Sequence, residues 1–140
     1  MNYILDTNVV SELVSRSANP KVLEWIGGID QDSAFLSVIT VGELKKGIEK
    51  MESSKRKKTL VSWLDEDLLV RFSERILELD LSVMLVWGGL VARLEKEGRP
   101  LPAIDSLLAA TTLYTGFTLV TRNTKHFKHI EISVLDPWVI

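Results

Sequence analysis

The 140 residues contain no cysteine. That excludes a disulfide framework, a thiolate metal site and a cysteine nucleophile. No apolar run approaches the length needed to cross a bilayer, and the first residues lack a basic segment followed by an apolar stretch and a cleavage site. The expectation is a soluble, cytoplasmic protein with no membrane partner. Also missing are a P-loop, a glycine-rich dinucleotide fingerprint and a "GxSxG" elbow, so three common routes to nucleotide or ester chemistry are absent. No internal repeat, low-complexity segment or linker divides the chain, which predicts one domain over residues 1–140.

What is present fits an ordinary globular domain. Hydrophobic residues make up 46% and charged residues 26%, and a chain of this length buries roughly two thirds of its unfolded surface. A net charge of −2 does not announce a nucleic-acid binder, but the charge is unevenly spread. Seven bases (Lys45, Lys46, Lys50, Lys55, Arg56, Lys57, Lys58) lie between positions 45 and 58 against Glu49 and Glu52. Arg122, Lys125 and Lys128 follow in a stretch without acids. A locally basic face is one reading of this pattern, and solvated helix lysines are the other.

Short apolar runs alternate with helical periods. "NYIL", "AFLS", "RILEL", "FTLVT" and "ISVLD" read as five strands. Helices are predicted from about Asn8, over "NPKVLEWI", over "TVGELKKGIEKM", across 55–72, over 82–97 and over "AIDSLLAATTLYTG", the last ending at Gly116. The 82–97 segment has the cleanest period, with Val83, Val86, Trp87, Leu90, Val91 and Leu94 on one face. Uniformly apolar strands separated by helices imply an α/β fold with a mostly parallel sheet covered on both faces.

In such sheets ligands bind outside the carboxyl ends of the strands. Asp6 directly follows the first strand, and Asn123 follows "FTLVT" at the equivalent edge. Glu43 is expected in the first turn of the helix after "AFLS", and Asp105 near the start of an almost wholly apolar helix, where it should be buried. Each acid has a structural explanation as well: Asp6 as an N-cap, Asp105 as a dipole partner, Glu43 as part of a capping box "TVGE" begun by Thr40. Three acids needing the same explanation at one edge point instead to a shared site. Clustered carboxylates repel unless a cation intervenes, and oxygen-only ligands select Mg²⁺ or Mn²⁺. His126 and His129 read as surface residues rather than ligands. An acid cluster with a hard metal suits phosphodiester hydrolysis.

The stretches "LDTNVVSEL", "SVITVGELKKGI", "LPAIDSLLAATTLYTG", "LVTRNTKHF" and "VLDPW", in this order over essentially the whole chain, resemble the PIN-domain ribonucleases. Within them the similarity is to the VapC toxins of toxin–antitoxin pairs and their FitB-like branch. The resemblance implies a PIN-like fold and a Mg²⁺- or Mn²⁺-dependent endoribonuclease that cuts cellular RNA. It also implies neutralisation by a VapB-like antitoxin, a homodimer, and promoter DNA bound only through the antitoxin. Carried over by position, the metal acids are Asp6, Glu43 and Asp105. Asn123 takes the fourth catalytic position, where many members have aspartate. Thr7, Asn8 and Thr121 support the site, and Arg122 is a phosphate contact. A non-catalytic RNA- or protein-binding scaffold is the main alternative. An aspartyl-nucleophile phosphohydrolase is the lesser one, since that chemistry commonly wants an acid where Asn8 stands.

Overall fold

A computed structural model describes all 140 residues. Five strands form one sheet: β1 (Tyr3–Leu5), β2 (Ala34–Ser37), β3 (Ile76–Leu77), β4 (Thr118–Val120) and β5 (Ser133–Leu135). Their order is β3-β2-β1-β4-β5, and every pairing is parallel. The chain winds outward from β1 to β3, then returns to lay β4 on the other side of β1. The carboxyl ends of β1 and β4 therefore border the crevice where the winding reverses.

Strand alternation divides the core. Leu5, Leu36 and Val120 face a cluster completed by Val9, Val10, Val22, Leu44 and Leu68. Ile4 and Leu119 point the other way, into a cluster with Leu90, Leu94, Leu108, Ala109 and Phe127. Successive strand side chains serve opposite faces, so three-residue strands are enough to join two cores.

The first face is covered by α1 (Thr7–Glu12), α2 (Pro20–Gly28), α3 (Val38–Glu49) and α4 (Lys55–Ser62). Pro20 opens α2, where its missing N–H costs nothing, and the Asn19 side chain accepts from the Lys21 N–H. After α4 the chain widens into a π-helical segment, Trp63–Leu68, and closes with the short α5 (Leu69–Arg71). The sequence predicts one uninterrupted helix here. Its apolar residues recur every four positions, slightly more than the 3.6 of an α-helix, and the wider turn keeps Leu60, Leu64 and Leu68 all buried.

The second face is covered by α6 (Leu81–Lys96) and α7 (Ala103–Thr115). Val83, Leu90 and Leu94 of α6 are buried, as the period predicts, and the Trp87 indole donates to Ser106 Oγ of α7 at 2.9 Å. Gly116 ends α7 in the left-handed conformation, with φ of 71°, which glycine adopts without penalty. No helix is long and apolar enough to cross a membrane.

A carboxylate site at the carboxyl edge of the sheet

The register of β1 on β4 sets Leu5 beside Val120, so the residues that follow, Asp6 and Thr121, leave the sheet side by side. Backbone bonds fix both: the Asp6 N–H donates to Val120 O at 2.9 Å, and the Thr121 N–H donates to Leu135 O at 3.0 Å. The Thr121 hydroxyl, fully buried, then donates to Asp6 Oδ2 at 2.7 Å. The Asn8 amide lies between them, 3.4 Å from Asp6 Oδ2 and 3.3 Å from Thr121 Oγ1. Asn8 Oδ1 accepts from the Arg122 N–H at 3.2 Å, which ties α1 to the segment after β4.

Asp6 also caps α1: its Oδ1 accepts from the Thr7 N–H at 2.7 Å. The cap and the site acid are thus one residue in one conformation, not competing roles. Its side chain is 8% exposed and has no basic partner. Burial pushes the Asp6 carboxyl above the ordinary carboxylate range. The Thr121 and Thr7 hydrogen bonds pull it back in part, and the charges of Glu43 and Asp105 push it up further.

Glu43 is not in a first turn. Helix α3 starts at Val38, immediately after β2, with the Ser37 hydroxyl accepting from the Ile39 N–H as its cap. The predicted capping box is absent, and the buried Thr40 hydroxyl has no hydrogen-bond partner at all. Glu43 therefore sits well inside α3, where neither cap nor dipole accounts for it. Its Oε1 accepts from Thr7 Oγ1 at 2.6 Å.

Asp105 is in the first turn of α7 as predicted, but it is half-buried rather than buried, its side chain 19% exposed. His126 lies 2.9 Å away through Nδ1, from the 3₁₀ turn Thr124–Phe127. The sequence reading set His126 aside as a surface residue. Its side chain is indeed 49% exposed, yet one ring edge is committed to a site acid. No sequence spacing signals a pairing that depends on where this turn lands.

Asn123 shares the rim through its backbone: its N–H donates to Thr121 Oγ1 at 3.1 Å, while the residue is exposed. The Arg122 guanidinium lies over the Trp138 ring, 5.1 Å from the centroid. Trp138 is therefore more than a packing residue, because a cation held over an aromatic face is restricted in direction.

The charges of Glu43 from α3 and Asp105 from α7 thus reach Asp6 at the end of β1. No group of three acidic or imidazole side chains stands close enough together to hold an ion. Glu43 is turned to Thr7, and Asp105 to His126. The donor set still fits a hard divalent cation, because a buried carboxylate held only by neutral donors, with two further carboxylates acting on it, lacks a compensating positive charge. A groove of about 400 Å³ runs from Thr7 and Glu43, between α1, α3 and α4, to Arg56 and Trp63.

A parallel α/β domain with acids gathered at its winding reversal is the class that fold and site define. The chain belongs to the PIN domain family, whose model matches residues 3–132. Toxin FitB of Neisseria gonorrhoeae is 32% identical over 135 residues, spanning 96% of this chain and 97% of that one. VapC ribonuclease Y4jK of Sinorhizobium fredii is 33% identical over 135 residues, spanning 96% of each. The crystal structure of FitAcB from Neisseria gonorrhoeae superposes with a TM-score of 0.93 at 31% identity, covering 99% of both chains.

Proposed function

We propose that residues 1–140 act as one catalytic domain, a divalent-metal-dependent endoribonuclease serving as the toxin of a toxin–antitoxin pair. The observation that carries this reading is Asp6: a buried carboxylate without a basic partner, raised by burial and by Glu43 and Asp105, at the carboxyl edge of a PIN-family sheet. Similarity to a FitB toxin and a VapC ribonuclease along the whole chain supports the activity and the role.

Asp6, Glu43 and Asp105 would hold Mg²⁺ or Mn²⁺. When bound, the ion supplies Lewis-acid activation of water and offsets charge on the scissile phosphate. The chain's own residues do the positioning. Thr121, Asn8 and the Thr7 N–H fix both oxygens of Asp6, and the Thr7 hydroxyl fixes Glu43. Arg122, directed by Trp138, meets the phosphate. Asn123 contributes polarity without charge at the fourth position, and a carboxylate shares the general-base task, since the one imidazole beside the acids, His126, has its Nδ1 engaged by Asp105.

RNA approaches along the groove beside the basic segment. Lys46, Lys50, Lys55 and Lys58 remain exposed there, whereas Lys45 pairs with Glu49, and Arg56 and Lys57 are spent on backbone carbonyls. A VapB-like antitoxin covers the acidic edge and carries any promoter DNA contact. Leu81 and Leu85, exposed one turn apart on α6, suit a homodimer face. The pair acts in the cytoplasm, where its RNA lies.

The test is cleavage of total cellular RNA by the purified chain, with EDTA and with Mg²⁺ or Mn²⁺ restored. Cleavage should stop in EDTA, return with metal, and be absent from Asp6→Asn throughout. Metal-independent cleavage, or none under any condition, overturns the enzyme reading in favour of a scaffold.

A further inference from the structure

We propose that His126 is a positioning residue of this site: its Nδ1–H holds Asp105 Oδ2 and so restricts the carboxylate that would help hold the metal. The inference rests on the metal-dependent reading above and extends it to a residue outside the acid set.

The contact is built from both sides. Asp105 is flanked on α7 by Ser106 and Leu108, each 2% exposed. The turn bearing His126 is anchored by the next residue, Phe127, 1% exposed in the α6/α7 core, and by the His126 N–H donating to Asn123 O at 3.1 Å. Neither backbone is free to drift. The 2.9 Å contact therefore joins two fixed points and is not a chance meeting of surface side chains.

Chemistry fixes the proton. An ionised carboxylate only accepts, so Nδ1 must carry the hydrogen, and it does so in the neutral Nδ1–H tautomer and in the imidazolium alike. Orientation of Asp105 is independent of the histidine's charge. An exposed pair of this kind adds little to fold stability, at most about 1 kcal/mol, so its removal leaves a folded protein to measure.

Outer partners of metal-binding carboxylates typically set metal affinity by about 10- to 100-fold. Mn²⁺ binding without RNA, read from the loss of the free-ion EPR signal, tests this directly. His126→Leu, which removes the donor, should weaken Mn²⁺ binding by about 10-fold or more. His126→Asn, whose amide nitrogen is bonded to Cγ as Nδ1 is, should restore binding to within about threefold of wild type. In an Asp105→Asn background, His126→Leu should add nothing. Unchanged or tighter binding in His126→Leu overturns the proposal, the latter marking a latch that holds Asp105 away from the ion. His126→Asn as weak as His126→Leu overturns it too. Mn²⁺ binding by Asp6→Asn equal to wild type, or none by wild type, overturns the metal reading itself and this one with it.

Discussion

The two halves of the acid site are built differently. Asp6 and Thr121 sit where β1 and β4 end, their backbones continue the sheet's hydrogen bonding, and the Asn8 side chain from α1 bonds both. Asp6 is 8% exposed and Thr121 fully buried. Glu43 and Asp105 come from helices on opposite faces of the sheet, are more exposed, and each rests on one partner, Thr7 or His126. The strand half is a network of mutually bonded, buried groups, whereas each acid of the helix half depends on a single side-chain contact, so loss of one contact costs the two halves differently.

The largest expected effect separates the halves. Asp6→Asn should lower RNA cleavage by about 10³-fold or more, since several kcal/mol of charge stabilisation depend on it. Excess Mn²⁺ should not recover that loss. Asp105→Asn should lose less, about 10- to 100-fold, and recover partly as Mn²⁺ is raised. Equal, unrecoverable losses measured over a Mn²⁺ series would dissolve the contrast.

Next comes Thr121→Val, nearly identical in shape, which strips the buried donor from Asp6 Oδ2. The chain should lose about 1–3 kcal/mol of stability in urea melts. Thr7→Ala, on the helix half, should lose well under 1 kcal/mol, because Glu43 can turn to water. A Thr7→Ala chain as destabilised as Thr121→Val would show the helix half to be equally rigid.

A smaller effect follows from the raised Asp6 carboxyl. The folded chain keeps that proton to a higher pH than the unfolded chain, so between the two values the native state binds more protons. Stability accordingly falls as pH rises from the unfolded carboxyl range through Asp6's own value, then levels off. Asp6→Asn removes this slope while still capping α1. In EDTA at pH 7 it should melt a few degrees above wild type, with the gap closing on acidification. A wild type that melts higher than Asp6→Asn at pH 7 would mean the burial of that charge costs nothing.

The smallest effect concerns the basic segment. Lys55→Glu with Lys58→Glu spares the two bases engaged by carbonyls. If both lysines contact phosphates, the salt slope for RNA binding should flatten by about 1.4, while Mn²⁺ affinity stays unchanged. An unchanged slope would make the run a solvated face.

Much of this site was legible in the sequence, for reasons that differ by residue. Asp6 stands out because an acid ends an apolar strand, and Asp105 because it interrupts an apolar helix. Five strands and their parallel order follow from short apolar runs alternating with helical periods. Glu43 lies one turn deeper in its helix than the sequence predicts: Thr40 looks like a cap, but Ser37 at the end of β2 takes that role, and the sequence does not say which hydroxyl is engaged. The depth of Asp105 was overestimated, because helix periodicity reports apolar neighbours and not the open crevice beyond the first turn. His126 was missed because a bond across 21 residues depends on a 3₁₀ turn whose position is set by Phe127 in the core.

The bond between Thr121 and Asp6 joins residues 115 apart. Contacts of such separation carry a large loop-closure cost and form slowly. A chain still being synthesised has all of its site carboxylates once Asp105 has been made, yet lacks β4, and so has β1 paired on its β2 side only and no Thr121 hydroxyl for Asp6. The hydroxyl that completes the Asp6 pocket is thus added only after all three acids are in the chain.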